Sequence, residues 1–70
     1  MDSTAEKILQ CLYDEYQTTG QNEYQNVSAL SGVPSKICHS VTERLKSLGY
    51  VKNNILGETK LTDYGISYFD

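Results

Sequence analysis

Two cysteines and one histidine are all that this 70-residue chain offers a soft metal. Cys11 and Cys38 stand far apart, there is no C-x-x-C pair, and His39 alone does not complete a zinc site with the usual ligand spacing. Both cysteines therefore read as small, semi-buried apolar residues in a reducing compartment. The five glycines are isolated, so there is no Gly-rich loop to cradle a phosphate. No Ser/His/Asp grouping has supporting context, and the carboxylates fall on helix faces and termini, where capping and solvation account for them. No apolar run is long enough to span a bilayer. The first residues, MDSTAEK, lack the basic start and apolar stretch of a secretory leader. Repeats, linkers and low-complexity tracts are also missing. The expectation is one small cytoplasmic domain with no membrane contact, no cofactor, no metal, no small-molecule substrate and no enzymatic activity. A chain of this length buries only a little over ~60% of its unfolded surface, which leaves no room for a cleft between lobes.

The charge is present but unevenly placed. The net charge is −3. Residues 1–23 carry Asp2, Glu6, Asp14, Glu15 and Glu23 against Lys7, a balance of −4. Residues 35–60 carry Lys36, Arg44, Lys46, Lys52 and Lys60 against Glu43 and Glu58, a balance of +3. A polyanion responds to the local face more than to the total, so the second segment is the one suited to nucleic acid.

Helical periodicity predicts a first helix over residues 4–17, with Ala5, Ile8, Leu9, Leu12 and Tyr16 on its apolar stripe. Ser3-x-x-Glu6 has the form of a capping box, and Gly20 closes the helix. A short second helix is expected over residues 23–31, capped by Asn22, with Tyr24, Val27 and Leu30 sharing a face. A very short strand between the first two helices, pairing with the later hairpin, is the other reading of that stretch. Gly32 supplies the turn, Val33 fills the angle, and Pro34 either opens the third helix or precedes a Ser35 cap. The third helix is predicted over residues 35–48, with Ile37, Val41, Leu45 and Leu48 toward the core and Cys38 and Arg44 at the borders. Gly49 ends it. Residues 50–53 and 58–61 read as hairpin strands around an Asn-rich turn, with Ile55 and Leu56 unusually apolar near the tip. Thr62 and Asp63 open a last short helix, in which Gly65 allows close packing and Ile66 and Phe69 are the buried contacts. The fold class is mostly α with a small β-hairpin (α+β), in the order helix, helix, helix, strand, strand, helix.

Leu30, Gly32, Val33, the L-K-S-L-G-Y-V block at residues 45–51 and the L-T-x-x-G block at residues 61–65 occur in that order. In this the chain resembles the winged helix-turn-helix family of small transcription regulators, including MarR-like and phage-borne single-domain members. The resemblance implies a single winged-helix domain over residues 1–70 and sequence-specific binding of double-stranded DNA in transcription regulation. It implies that helix 3 enters the major groove and the wing, about residues 50–61, follows the backbone. Base contact then falls to Ser35, Lys36, His39, Ser40 and Glu43, early on the exposed face of helix 3. Backbone contact falls to Arg44, Lys46, Ser47, Lys52 and Lys60. The chain departs from the family in having no long terminal helices for dimerisation and only two wing cations. The alternative is a winged helix used as a protein-interaction module without DNA binding, as in a phage or plasmid accessory factor. The acidic amino-terminal region and six tyrosines motivate it. Tyr13, Tyr64 and Tyr68, together with Cys11 and Ile55 or Leu56, are the candidate surface for a homodimer or protein partner.

Overall fold

In the computed structural model, which describes residues Met1–Asp70, four helices and a two-stranded antiparallel hairpin follow one another in the expected order. Helix α1 spans Ser3–Thr19 because Ala5, Ile8, Leu9 and Leu12 line one side of it and are buried against the rest of the chain. Its cap differs from the capping box expected at Ser3. Asp2 is the N-cap, and its carboxylate accepts from the Ala5 amide at 2.8 Å. A carboxylate answers the positive end of the helix better than a hydroxyl does. Glu6, freed from the box, accepts instead from the Tyr68 hydroxyl at 3.3 Å.

Helix α2 is shorter than expected. It spans Val27–Ser31 and is capped by Asn26, whose side chain accepts from the Ala29 amide. Asn22 and Tyr24, expected to cap and face this helix, serve the sheet. The Tyr24 amide donates to the Thr59 carbonyl at 2.7 Å and the Thr59 amide returns the bond at 3.0 Å. Asn22 donates through Nδ2 to the Leu61 carbonyl and accepts through Oδ1 from the Leu61 amide. The very short strand before α2 is thus a single bridged residue, extended by one side chain. Leu30, expected on the buried face, is exposed, because the shortened helix turns only Val27 and Ser31 inward. Gly32 makes the turn with φ +74°, and Val33 is buried in the angle as expected.

Helix α3 spans Ser35–Ser47, with Pro34 itself at the N-cap position and Leu48 at the C-cap. Its buried stripe is Cys38, Val41 and Leu45. Ile37 and Leu48, read from spacing as core residues, are 51% and 56% exposed. The helix is rolled so that Cys38, 4% exposed, takes the buried place expected of Ile37. Strands β1 (Val51–Asn53) and β2 (Thr59–Leu61) pair with Val51 opposite Leu61, Lys52 opposite Lys60 and Asn53 opposite Thr59. Val51 and Leu61 are buried under the hairpin, and the two lysines lie on its other face. The turn is organised by Asn54, whose Oδ1 accepts from the Leu56 and Glu58 amides.

Helix α4 spans Asp63–Ser67 and rests on one hydroxyl. Thr62 Oγ1 accepts from the Gly65 amide and donates to the Gly49 carbonyl at 2.6 Å. Ile66 and Phe69 are half-buried against the core rather than fully enclosed. No helix is long and apolar enough to cross a membrane.

The buried Tyr24 hydroxyl donates to the Leu12 and Gln21 carbonyls at 2.9 and 2.6 Å. Burial, aided by the nearby Glu15 charge, pushes its pKa up to about 12 from 10.0. The unfolded chain therefore releases this proton first, so the contribution of Tyr24 is whole below pH 10 and falls as pH rises toward 12. Tyr24→Phe is expected to cost about 1–2 kcal/mol near neutrality. It should also flatten the alkaline limb of the stability profile, read from urea unfolding at stepped pH.

Candidate nucleic-acid interface

The roll of α3 decides what its outer side presents. With Cys38, Val41 and Leu45 turned inward, Lys36, His39, Ser40, Glu43 and Ser47 occupy the opposite side and are all exposed. Ser35, at the start of the helix, is exposed as well, and its hydroxyl donates to the Ser28 hydroxyl at 3.3 Å. Four of the five candidate base-reading side chains, Lys36, His39, Ser40 and Glu43, therefore share the outer side of one helix, while Ser35 turns toward α2.

The cations divide into two groups. Arg44 is paired with Asp2 across the α3–α1 contact, and Lys46, half-buried, is paired with Glu43 one turn earlier. Lys36, Lys52 and Lys60 enter no ion pair. The Ala5 amide and the Arg44 guanidinium together hold the Asp2 carboxyl below its ordinary pKa. Lys46 does the same for Glu43 through a hydrogen bond and its charge. Both acids therefore remain ionised through the neutral range and keep their partners occupied. Lys52 and Lys60 stand directly across the hairpin from one another, and neither is in an ion pair. Like charges opposed in this way destabilise a hairpin unless an anion joins them.

A recess of about 220 Å³ opens beside α3. Ser35, Cys38, His39 and Thr42 form one wall, and residues 25–28 with Thr59 form the other. Thr42 and Thr59 were not among the candidate residues. The signal for Thr42 was its helical spacing from Cys38 and Ser35. Thr59 had none, since only the hairpin fold brings it there. A larger open depression of about 460 Å³ runs along residues 1–10 on the surface of α1 and encloses nothing. No three His, Cys, Asp or Glu side chains converge.

Tyr13, Tyr64 and Tyr68 come together with Tyr50 and Phe69 in one chain of touching rings. Cys11 does not join them; its thiol donates to the Leu30 carbonyl. Ile55 and Leu56 lie at the far end of the hairpin, fully and largely exposed.

No family model, curated protein or solved structure matches this chain.

Proposed function

We propose that this chain is a winged helix-turn-helix domain that binds double-stranded DNA and acts in cytoplasmic transcription control. In this reading α3 lies in the major groove, the β1–β2 hairpin is the wing, and the role is binding rather than catalysis. The observation that carries it is the outer side of α3, where Lys36, His39, Ser40 and Ser47 stand exposed while the opposite side is buried. A single helix fits the major groove, and a lysine on its outer side is a donor for guanine or for phosphate. The unneutralised Lys52–Lys60 pair supports the same reading, because a phosphate between them would relieve their repulsion.

With only three unpaired cations on this half of the chain, binding is weak and salt-dependent, in the range of roughly 10⁻⁴–10⁻⁶ M typical of non-specific contact for one copy. The test is a titration of mixed duplex DNA into labelled protein at low and moderate salt, following amide shifts by NMR. Shifts confined to α3 and the hairpin, fading as salt rises, are expected. An absence of shifts at low salt rejects the reading. Removing both wing cations with Lys52→Ala and Lys60→Ala should lower the slope of log K against log salt by about two.

The Arg44–Asp2 pair supplies a gain-of-function counterpart. Asparagine caps a helix about as well as aspartate, so Asp2→Asn preserves α1 while releasing Arg44. DNA affinity should rise a few-fold and the salt slope should steepen by about one. An unchanged slope would mean that Arg44 is out of reach of the phosphates.

A further inference from the structure

We propose that the aromatic face built by Tyr13, Tyr50, Tyr64, Tyr68 and Phe69 docks an arginine-bearing segment of a partner protein. Tyr64 stacks on Tyr50 with ring centroids 4.8 Å apart, and Tyr68 meets Tyr50 edge-on at 5.5 Å. Phe69 meets Tyr68 edge-on at 5.0 Å, and Tyr13 stacks on Phe69 at 4.6 Å. Five of the seven aromatic residues thus form one continuous row, in which Tyr13, Tyr50 and Phe69 are half-buried against the core and Tyr64 and Tyr68 are exposed. Tyr64 is 59% exposed and Tyr68 40%. A contiguous apolar surface of this kind on a small domain marks an interaction site.

The charge around the row selects the occupant. The Tyr68 hydroxyl donates to Glu6 and the Tyr13 hydroxyl to Asp70, so the row carries a carboxylate at two points, and Asp63 opens the helix that bears Tyr64. None of these three acids is in an ion pair, since the only two in the fold are Arg44–Asp2 and Lys46–Glu43. Ring faces and free carboxylates attract the same partner, a cation, and both repel phosphate, which excludes a nucleic acid backbone or an anionic membrane. Arginine fits better than lysine, because its planar group stacks on a tyrosine ring while its edge donates to a carboxylate. A second copy of this chain does not supply it. The single arginine, Arg44, is already held by Asp2. The aromatic row shares no residue with the outer side of α3 or the wing lysines, so it stands whether or not DNA binds.

The experiment uses three labelled peptides of equal length, alternating glycine with arginine, with lysine or with glutamate, and reads fluorescence anisotropy on the whole chain. The arginine peptide is expected to bind more tightly than the lysine peptide of the same charge, and the glutamate peptide not at all. Tyr64→Ala should weaken the arginine peptide about three- to fivefold, while Tyr64→Phe stays within about twofold of the parent. Asp70→Asn, which keeps an acceptor for the Tyr13 hydroxyl, should weaken it and reduce its salt dependence. Equal binding of the arginine and lysine peptides, unaltered by Tyr64→Ala, would reduce the effect to net charge and overturn the proposal. A concentration-dependent dimer in sedimentation that Tyr64→Ala disperses would overturn it in favour of a second copy. Lys52→Ala with Lys60→Ala should leave peptide binding unchanged, so its failure and that of the DNA reading are separable.

Discussion

Gly65→Ala is expected to lower the stability of this domain by about 3 kcal/mol or more, a large share of the roughly 5–15 kcal/mol typical of a folded protein. A methyl group at this position would lie 2.0 Å from the Tyr50 carbonyl oxygen and 3.0 Å from its carbon. Both are backbone atoms, and that oxygen also accepts from the Thr62 amide at 3.1 Å, so it is not free to retreat. The helix would have to lift, and the Thr62 cap and the stacking of Tyr64 on Tyr50 would go with it. Ser67→Ala, on the exposed side of the same short helix, is the matched control and should change stability by no more than about 0.5 kcal/mol. Urea unfolding followed by circular dichroism separates them. A Gly65→Ala chain as stable as its parent would mean that α4 does not seat on Tyr50 as described.

Asn22→Ala is the second large effect, about 2–5 kcal/mol, and it acts at a distance of 39 residues in sequence. The Asn22 amide both donates to and accepts from the backbone of Leu61, doing with a side chain what a neighbouring strand does with its main chain. Truncation leaves a half-buried N–H and C=O without partners at the edge of a hairpin only three residues long. Each unsatisfied group costs about 1–3 kcal/mol. The Leu61 amide should then exchange its hydrogen far faster, ahead of the amides of α1. Unchanged exchange at Leu61 would show that water replaces the asparagine at no cost.

The two proposed surfaces divide the chain along its charge. The cations of α3 and the hairpin that remain unpaired are lysines, and the acids that remain unpaired beside the aromatic row belong to α1, α4 and the chain end. The three unpaired lysines and the three unpaired acids beside the aromatic row cancel, so the net charge of −3 comes from Asp14, Glu15, Glu23 and Glu58 against Lys7. It does not count against polyanion binding, which is decided within about a Debye length of each contact.

Much of this architecture is legible along the chain. The repeat at Ala5, Ile8, Leu9 and Leu12 runs long enough to define one side of α1 without ambiguity. Thr62 followed by Gly65 announces both a cap and a close approach, and each does what its chemistry suggests. Helix α3 is different. Ile37 and Cys38 are both apolar and lie on either side of the line through Val41 and Leu45, so its own periodicity allows two rolls. The neighbours choose between them, and Cys38 is the one buried while Ile37 is left half-exposed. At α1 the capping residue is Asp2 and not Ser3, and its carboxylate also pairs with Arg44 on another helix, a partner that no local spacing announces.

The stretch from Asn22 to Asn26 marks the boundary most clearly. Locally, Asn22 and Gln25 have the spacing of a helix start, and local hydrogen bonding would satisfy them there. Thr59 and Leu61 offer the same backbone and amide groups a sheet edge instead, and that edge exists only after the hairpin has closed. The order of the elements and the glycine turns at Gly20 and Gly32 were therefore determined by the sequence alone, since a left-handed turn is decided within a few residues. Which side of α3 faces outward, which cations stay free and which tyrosines meet were decided by the tertiary structure. Each of those depends on a partner far away in the chain, and no local spacing carries that information.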